Sequence, residues 1–224
     1  MDLIKENNYK QEKKIYPFFI ISSILVIFDQ ITKLLIHGFN FFGINFTGLK
    51  YGELINVFGN YVQITFIENP GMAFGIHFGL VGKFFLSSFS IVASLVLIYV
   101  IKRLRENHFA IKLAFSLILA GAVGNLIDRV FYGVIFGYAP LLYGKVVDFI
   151  QVDIPDINIG NIYMTHFPVF NVADSCVTVG IVILLLFFNK IPSLSHLFKK
   201  KSNFEEDNIG NNNEQINQTS ETND

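Results

Sequence analysis

Four long apolar stretches constrain the fold of this chain more than any other feature of its sequence. They run from about residue 15 to 36, 84 to 101, 110 to 130 and 173 to 191. Each is close to the ~20 residues with which an α-helix crosses a hydrocarbon core about 30 Å thick. Hydrophobic residues make up 52% of the 224 residues and charged residues only 16%, more apolar surface than a soluble domain of this size can bury. The sequence therefore predicts a membrane α-helical protein with four transmembrane helices.

The placement of basic residues predicts the orientation of these helices. Twelve of the 17 basic residues occur in the N-terminal segment, the link between the second and third spans, and the C-terminal flank. These twelve are Lys5, Lys10, Lys13, Lys14, Lys102, Arg103, Arg105, Lys112, Lys190, Lys199, Lys200 and Lys201. The three regions share one side of a four-span protein, and the positive-inside rule assigns that side to the cytoplasm. We therefore expect both termini to be cytoplasmic and the segments 37–83 and 131–172 to be outside.

The expected organisation is a single membrane domain with two polar flanks. Residues 1–14 form a cytoplasmic N-terminal segment, residues 15–191 the four-span domain, and residues 192–224 a cytoplasmic, Asn-rich tail that is predicted to be disordered. Residues 61–67 are β-branched and aromatic in rough alternation, which predicts a strand in a small extracytoplasmic β-sheet. The aromatic, Gly-rich piece after Arg129 is too short to span and is expected at the membrane interface.

Polar residues at the outer ends of the spans mark a candidate site. Charged groups inside spans are costly and usually functional. Asp29, Asp128 and Asp174 lie at the outer ends of three spans, and Asp148 lies in the outer segment between the third and fourth. The nearby amides of Asn69, Asn125 and Asn171 are suited to hold a carboxylate or a peptide backbone. We therefore expect all of these groups to meet near the outer membrane surface.

Two carboxylates in a shared pocket can hydrolyse a peptide bond without a metal or cofactor. Like charges at close range cannot both ionise cheaply, so one carboxyl group stays protonated while the other activates water. The five histidines show no HExxH or comparable metal-ligand spacing, and nucleotide-binding glycine motifs are absent. The net charge of −1 gives no indication of a nucleic-acid partner, and none is expected.

Five sequence blocks resemble the motifs of bacterial lipoprotein signal peptidases. They are DQITK (29–33), ENPGMAFG (68–75), GNLIDR (124–129), VVDF (146–149) and FNVADS (170–175), and they occur in the family's order. The resemblance covers about residues 15–190. It implies a multi-pass aspartic endopeptidase of the bacterial inner membrane, with a small periplasmic sheet and an active site near the periplasmic surface. Its substrates would be prolipoproteins, cut on the amino side of a diacylglyceryl-modified cysteine.

The resemblance also assigns the site residues. It implies that Asp148 and Asp174 are the catalytic pair and that no metal or cofactor is needed. Its supporting positions, which hold the pair or the substrate backbone, are Asp29, Lys33, Asn69, Gly71, Ala73, Asn125, Asp128, Arg129, Asn171 and Ala173. Partners implied by the family are the lipidated prolipoproteins, membrane lipids and, upstream, the prolipoprotein diacylglyceryl transferase.

Two of the supporting residues have a physical interpretation of their own. Arg129 is the only cation in its block, and we expect it to pair with Asp128, either as a plain structural ion pair or in support of the site. Gly71 follows Pro70, and we expect it to serve a turn in which positive φ is accessible, either as a purely structural element or in support of the site.

The chain departs from the family in two long outer segments. The stretches 129–148 and 148–171 are both longer than the family leads us to expect, and we hypothesise that they shape substrate entry or the cap over the site. Asp153 and Asp156 therefore offer alternative carboxylates to Asp148. We favour Asp148 because its VVDF context is apolar, whereas the other two are predicted to lie in a polar, Pro-containing loop.

Two other functions compete with a peptidase. A proton- or ion-coupled transporter also uses intramembrane carboxylates, but transport sites lie near the bilayer midplane between repeats. Here the acids gather at one surface and no repeat is visible. A non-enzymatic scaffold gives no reason for polar motifs at three span ends.

Overall fold

The computed structural model describes residues 15–41, 43–71, 79–105, 107–159 and 162–192. The chain separates into two units, Met1–Lys190 and Ile191–Asp224. Only two residues of the second unit are described, so the account below concerns the first unit. The predicted cytoplasmic segment 1–14 and nearly all of the tail 192–224 lie outside the described residues, as does Ala73.

Three helices are long and apolar enough to cross a bilayer, at the positions of the first three predicted spans. They are α1 (Tyr16–His37), α2 (Gly79–Arg103) and the helical stretch Phe109–Ile135. Both α1 and α2 pack against the first part of that stretch, α3 (Phe109–Ile127). At the α1–α3 contact, the hydroxyls of Ser22 and Ser116 lie 2.9 Å apart, so each satisfies a polar group that lipid could not.

The third helix extends beyond the predicted end near Val130. After α3 the chain forms a π-helical turn (Asp128–Tyr132) and the short helix α4 (Gly133–Ile135). A π-turn holds more residues than an α-turn and changes the direction of the side chains. Here it places both Asp128 and Tyr132 in buried positions. The first residues of the aromatic segment that was expected at the interface therefore continue the helix.

The fourth predicted span is an apolar helix, α5 (Val172–Leu186), that is shorter than the other three. It has 15 residues, which correspond to about 22 Å at 1.5 Å per residue. Its N-terminus begins at the predicted position, but a 3₁₀ turn (Phe188–Lys190) replaces its predicted last residues. Pro192 follows, and helices usually end before such a residue. The α5 helix packs closely on α3.

Two antiparallel sheets lie between the helices along the chain. β1 (Phe39–Phe41) pairs with β2 (Ile44–Phe46), and a four-stranded sheet has the order β3-β4-β5-β6. Its strands are β3 (Leu54–Phe58), β4 (Val62–Asn69), β5 (Val146–Ile159) and β6 (Ile162–His166). The strand predicted at 61–67 is confirmed as β4. Asp148 lies opposite Ile67 across the β4–β5 ladder, so the sheet carries one of the expected site residues.

The loop predicted around Asp153 and Asp156 is instead a strand. β5 runs through both positions and pairs with β6. Proline cannot donate to a ladder and is tolerated where pairing is irregular. Pro155 lies in such an irregularity, because the β5–β6 register shifts between Asp153 and Ile157. The sequence prediction interpreted Pro155 as a sign of a loop and missed the alternating apolar residues around it.

Candidate active site

Asp148 and Asp174 approach each other from the sheet and from the start of α5. Asp148 lies on β5 and is 3% exposed. Asp174 occupies the first turn of α5 and is only partly buried. The negative charge of Asp174 is close enough to influence the Asp148 carboxyl group. One carboxyl group is therefore enclosed by protein while the other is accessible.

Asn171 joins the two aspartates through opposite ends of its side chain. Its Nδ2 donates to Oδ1 of Asp148 at 2.7 Å, and its Oδ1 accepts from the backbone N of Asp174 at 2.9 Å. Asp174 completes a capping box, because its Oδ2 accepts from the backbone N of Asn171 at 3.3 Å. A backbone N–H can only donate, so this contact fixes which end of the amide faces Asp148.

A buried lysine with two carboxylates lies next to the pair. Nζ of Lys33 is 2.9 Å from Oδ2 of Asp29 and 2.8 Å from Oδ2 of Asp128. All three side chains are at most 1% exposed. Taking three charges out of water is costly unless each group is paired and hydrogen-bonded. In the described part of the chain, no buried side-chain nitrogen or oxygen lacks a partner.

The two carboxylates of this triad hold the backbone immediately before each candidate catalytic residue. Oδ1 of Asp29 accepts from the backbone N of Ala173 at 2.8 Å. Oδ2 of Asp128 accepts from the backbone N of Val147 at 3.2 Å. Ala173 precedes Asp174 and Val147 precedes Asp148. Lys33, Asp29 and Asp128 therefore connect α1 and the π-turn after α3 to both aspartate-bearing segments.

Asn125 links the buried lysine directly to Asp174 through hydrogen bonds. Its Oδ1 accepts from Nζ of Lys33 at 2.9 Å and from Nδ2 of Asn171 at 3.1 Å. Its Nδ2 donates to Oδ1 of Asp174 at 2.8 Å. Because an ammonium group has no acceptor, the Asn125 oxygen must face Lys33, and its amide nitrogen must face Asp174.

Asn69 and Gly71 approach Asp148 from the end of β4. Nδ2 of Asn69 donates to Oδ2 of Asp148 at 3.1 Å, and its Oδ1 accepts from the backbone N of Gly71 at 2.9 Å. Gly71 has φ +91°, and an added Cβ would collide with the side chain of Leu86. The predicted turn at Gly71 is confirmed, and the glycine does adopt positive φ there. The turn thus sets the position of the amide that contacts Asp148.

The environment of Asp148 changes its acidity. Burial, reinforced by the negative charge of Asp174, raises the pKa of Asp148 to about 7. Hydrogen bonds from Asn69 and Asn171 and the charge of Lys33 act in the opposite direction. Near neutral pH the Asp148 carboxyl group is therefore protonated in a large fraction of molecules.

Arg129 does not pair with Asp128, contrary to expectation. Asp128 pairs with Lys33, whereas Nη1 of Arg129 donates to the backbone O of Asn125 at 3.3 Å. Adjacent helical residues point in different directions and do not face each other, so Asp128 faces α1 and Arg129 does not. The guanidinium remains close enough to Asp128, Asp174 and Asp148 to interact with all three electrostatically.

The sequence prediction missed Gln30 and Tyr132. Nε2 of Gln30 donates to Oδ1 of Asp128 at 2.9 Å and lies 3.2 Å from Oδ2 of Asp29. Its Oε1 accepts from the hydroxyl of Tyr132 at 3.1 Å. Gln30 carried a signal, since it is a polar residue within an apolar span and belongs to the DQITK block. Tyr132 carried none, because its buried position depends on the π-turn.

Two glycines that were not predicted as site residues allow α5 and α1 to approach α3. A Cβ on Gly124 would lie 2.7 Å from Oδ2 of Asp29 and 3.0 Å from the Cβ of Ala173. A Cβ on Gly121 would collide with the backbone of Ala173. Any larger residue at these positions would push the α5 N-terminus, and with it Asp174, away from the network.

The alternative carboxylates lie elsewhere on β5. Side chains alternate between the two faces of a strand. Asp153, five residues after Asp148, therefore points to the opposite face, and it is exposed. The side chain of Asp156 is outside the described part. Within the described residues, no group of three or more His, Cys, Asp or Glu side chains could hold a metal ion.

Comparisons with known proteins agree with this geometry. A sequence profile described as signal peptidase (SPase) II matches residues 21–190. A lipoprotein signal peptidase of Porphyromonas gingivalis (strain ATCC 33277) is 35% identical over an alignment of 197 positions, which covers 76% of this chain and 82% of the relative. A lipoprotein signal peptidase of Staphylococcus aureus (strain MRSA252) is 37% identical over 167 residues, 75% of this chain and 84% of the relative.

The fold also resembles a solved structure. A bacterial membrane enzyme whose structure was determined by the in meso method at 1.9 Å resolution superposes with a TM-score of 0.54 and 31% identity. The match covers 79% of this chain and 94% of the enzyme. These similarities give no support to the transporter alternative.

Proposed function

Because this chain belongs to the signal peptidase II family, we propose that it removes the signal peptides of prolipoproteins and that Asp148 and Asp174 are its catalytic pair. The chain is a multi-pass bacterial membrane protein and an aspartic peptidase by family. The single observation that carries the residue assignment is the Asn171 side chain, which binds the Asp148 carboxylate and the Asp174 backbone at once.

The two environments suggest different roles for the two carboxyl groups. Asp148 carries the proton, because burial raises its pKa to about 7. Asp174 is partly accessible and its Oδ1 accepts from the Asn125 amide, and we assign to it the removal of a proton from the attacking water. Protonated Asp148 donates a hydrogen bond to the scissile carbonyl oxygen as water attacks the carbon. The proton taken up by Asp174 then passes to the leaving amine as the C–N bond breaks.

The remaining residues act by positioning. Asp29 and Asp128 fix the backbone before each catalytic aspartate, and Lys33 holds these two carboxylates together. Asn69 and Asn125 orient one catalytic carboxyl group each. Gly71 and Ala173 serve through their backbones. Arg129 supplies positive charge near the pair, which offsets negative charge that develops on the substrate oxygen.

The placement of basic residues supports the proposed orientation, and membership of the family supports the proposed substrate. With both termini in the cytoplasm, the aspartates lie near the periplasmic surface of the inner membrane. Strand β3 exposes Leu54, Ile55, Val57 and Phe58, an apolar surface that suits contact with lipid. The substrate is a prolipoprotein already modified by the diacylglyceryl transferase. It reaches the site sideways through the bilayer and is cut on the amino side of the lipidated cysteine.

The longer outer segments of this chain shape substrate entry in this proposal. The segment before Asp148 is attached to two helices: the Ser87 hydroxyl donates to the Leu142 carbonyl at 2.7 Å, and the Gly144 N donates to the Arg129 carbonyl at 2.9 Å. If deletion of residues 132–143 left turnover unchanged on several substrates, this role would be excluded.

The test is cleavage of a diacylglyceryl-modified prolipoprotein peptide by the purified protein in detergent. We expect wild type to cut before the modified cysteine. Asp148→Asn and Asp174→Asn should each lose activity by a factor of at least about 1,000, because the loss of a catalytic group has effects of this order. Asp153→Asn is the matched control, because it neutralises an exposed carboxylate of the same strand, and it should retain activity.

Two outcomes would contradict the proposal in different ways. Retained activity in Asp148→Asn with loss in Asp153→Asn would move the catalytic pair to the other face of β5. A folded wild-type protein that cleaves no lipidated substrate would contradict the peptidase function itself, and proton flux into liposomes would then be the next measurement. Circular dichroism and the unfolding temperature of each variant establish that lost activity is not lost folding.

A further inference from the structure

A cavity separate from the candidate active site lies at the end of the helix bundle opposite the aspartates. It has a volume of about 420 Å³ and is lined by the beginning of α1 and the end of α2, within the roughly 300–1,000 Å³ of typical ligand sites. Its lining combines Ile15, Tyr16 and Phe19 with the cations Lys102 and Arg105. Asp29 is 13 residues further along α1 than Tyr16, a separation of about 20 Å. The cavity is therefore unconnected with the proposed chemistry.

The basic side of this cavity is held in place by the α2–α3 link. Leu104, between the two cations, is completely buried, and its backbone N donates to the Val100 carbonyl at 3.1 Å. Nε of Arg105 donates to the backbone O of Lys102 at 3.2 Å, which holds the Arg105 side chain near the end of α2, and both basic residues line the cavity. Two positive charges fixed at the mouth of an apolar cavity fit an anionic group that carries an apolar chain.

An apolar groove continues from the cavity along the bundle. It has a volume of about 430 Å³ and is lined by residues of α1, α2 and α3 that include Val26, Ile27, Ile98 and Leu119. Phe19 lines both the cavity and the groove. From Phe19 to Ile27 the groove follows α1 for about 12 Å, close to the ~15 Å depth of one leaflet's hydrocarbon.

We propose that the cavity and the groove together form a binding site for an anionic phospholipid. The phosphate group binds between Lys102 and Arg105, the glycerol backbone lies against Tyr16 and Phe19, and one acyl chain occupies the groove between α1 and α2. A zwitterionic lipid with the same chains would fill the groove equally well but would bring an additional positive charge to the two cations. Charge complementarity therefore selects the anionic headgroup.

The full-length protein can be tested for this site by native mass spectrometry from detergent. Phosphatidylglycerol and phosphatidylcholine with identical acyl chains are the two probes. We expect wild type to retain phosphatidylglycerol in preference. Lys102→Gln and Arg105→Gln should each weaken its binding about fivefold, and the double variant about 25-fold, since each basic residue near a headgroup contributes a factor of this size.

A matched control is available in the same link. Arg103 is exposed, and its Nε lies 3.2 Å from the Tyr99 hydroxyl, so Arg103→Gln removes the same charge without touching the cavity. Phosphatidylglycerol binding by this variant should stay within twofold of wild type. An equal loss in Arg103→Gln would show that only the general charge of this end matters and would overturn the proposal.

A second pair of variants tests the groove independently of charge. Ser23 lines the groove, whereas Ile24 is 59% exposed on another side of α1. Ser23→Trp should therefore reduce retention of both lipids, and Ile24→Trp should not. Equal retention of the two lipids by wild type, or no effect of Ser23→Trp, would each contradict the site. The unfolding temperature in lipid-free detergent checks that every variant is folded.

Discussion

The side-chain amide of Asn171 lies 2.7 Å from Oδ1 of Asp148, and this contact is separable from the helix cap that the same residue forms. Serine can cap α5, because its hydroxyl accepts from the Asp174 backbone N, but it is too short to reach Asp148 in the same way. Asn171→Ser should therefore keep the cap and lose the amide, whereas Asn171→Ala loses both.

We expect the two Asn171 variants to differ in stability and to agree in pH dependence. Asn171→Ala should be about 1 kcal/mol less stable than Asn171→Ser. The amide lowers the pKa of Asp148, so both variants should raise that pKa and move the alkaline limb of kcat/KM to higher pH. Thermal unfolding and pH–rate profiles of the three proteins test this. An unmoved alkaline limb in both would contradict the assignment of the proton to Asp148.

Removal of the buried lysine should lower the free energy of unfolding more than removal of either catalytic aspartate does. Lys33→Met leaves Asp29 and Asp128 buried side by side without their shared cation. Breaking a buried ion pair by removing one partner costs about 3–5 kcal/mol. We therefore expect a strongly lowered unfolding temperature together with loss of cleavage.

The control for Lys33 separates the network from general charge effects. Lys83→Met removes a lysine of α2 that lies outside the network and should change neither property. The triple variant with Asp29→Asn and Asp128→Asn removes the uncompensated charges, and it should recover part of the stability but not the activity. A Lys33→Met protein as stable as wild type would exclude the triad as the link between the two aspartate segments.

The sequence predicted the helices and the polar cluster well because both leave direct signals. Apolar runs of span length identify α1, α2 and α3, and acids within such runs identify Asp29, Asp128 and Asp174. The pairing of Lys33 with Asp128 could not be predicted, because it depends on the π-turn at Asp128 and on the close α1–α3 approach that Gly124 permits. β5 was missed because a single proline at a register shift was interpreted as a loop.

The proton on Asp148 predicts how activity and stability depend on pH. The proposed reaction requires the proton on Asp148, so kcat/KM should decline as the pH rises through about 7, where Asp148 loses that proton. A pH–rate profile with lipidated peptide measures this. A plateau that extends without decline to pH 9 would exclude Asp148 as the proton donor.

Stability should follow the same group. The folded-state pKa of Asp148 lies above its ordinary value of 3.8, so the folded protein binds an additional proton between about pH 4 and 7. The contribution of the protonated Asp148 carboxyl group to stability is present at low pH and is lost as the pH rises through about 7. Asp148→Asn cannot lose this proton, so its free energy of unfolding should not show this decline. The difference in the free energy of unfolding between Asp148→Asn and wild type should therefore be more favourable to the variant at pH 8 than at pH 4, by on the order of a few kcal/mol. No pH dependence in this difference would contradict the raised pKa.

Gly71→Ala should disturb Asp148 from a distance, because the turn at Gly71 positions Asn69. An alanine there meets two obstacles, the positive φ of +91° and the side chain of Leu86. Gly52 provides a matched control with φ +76° and no neighbour within 4 Å of an added Cβ. Both substitutions incur a backbone cost of about 1 kcal/mol, but only Gly71→Ala should also lower kcat, about tenfold or more.

Combining Gly71→Ala with Leu86→Ala removes the collision and should restore part of kcat. If Gly52→Ala lowered kcat as much as Gly71→Ala, the strain of the backbone and not the position of Asn69 would account for the effect.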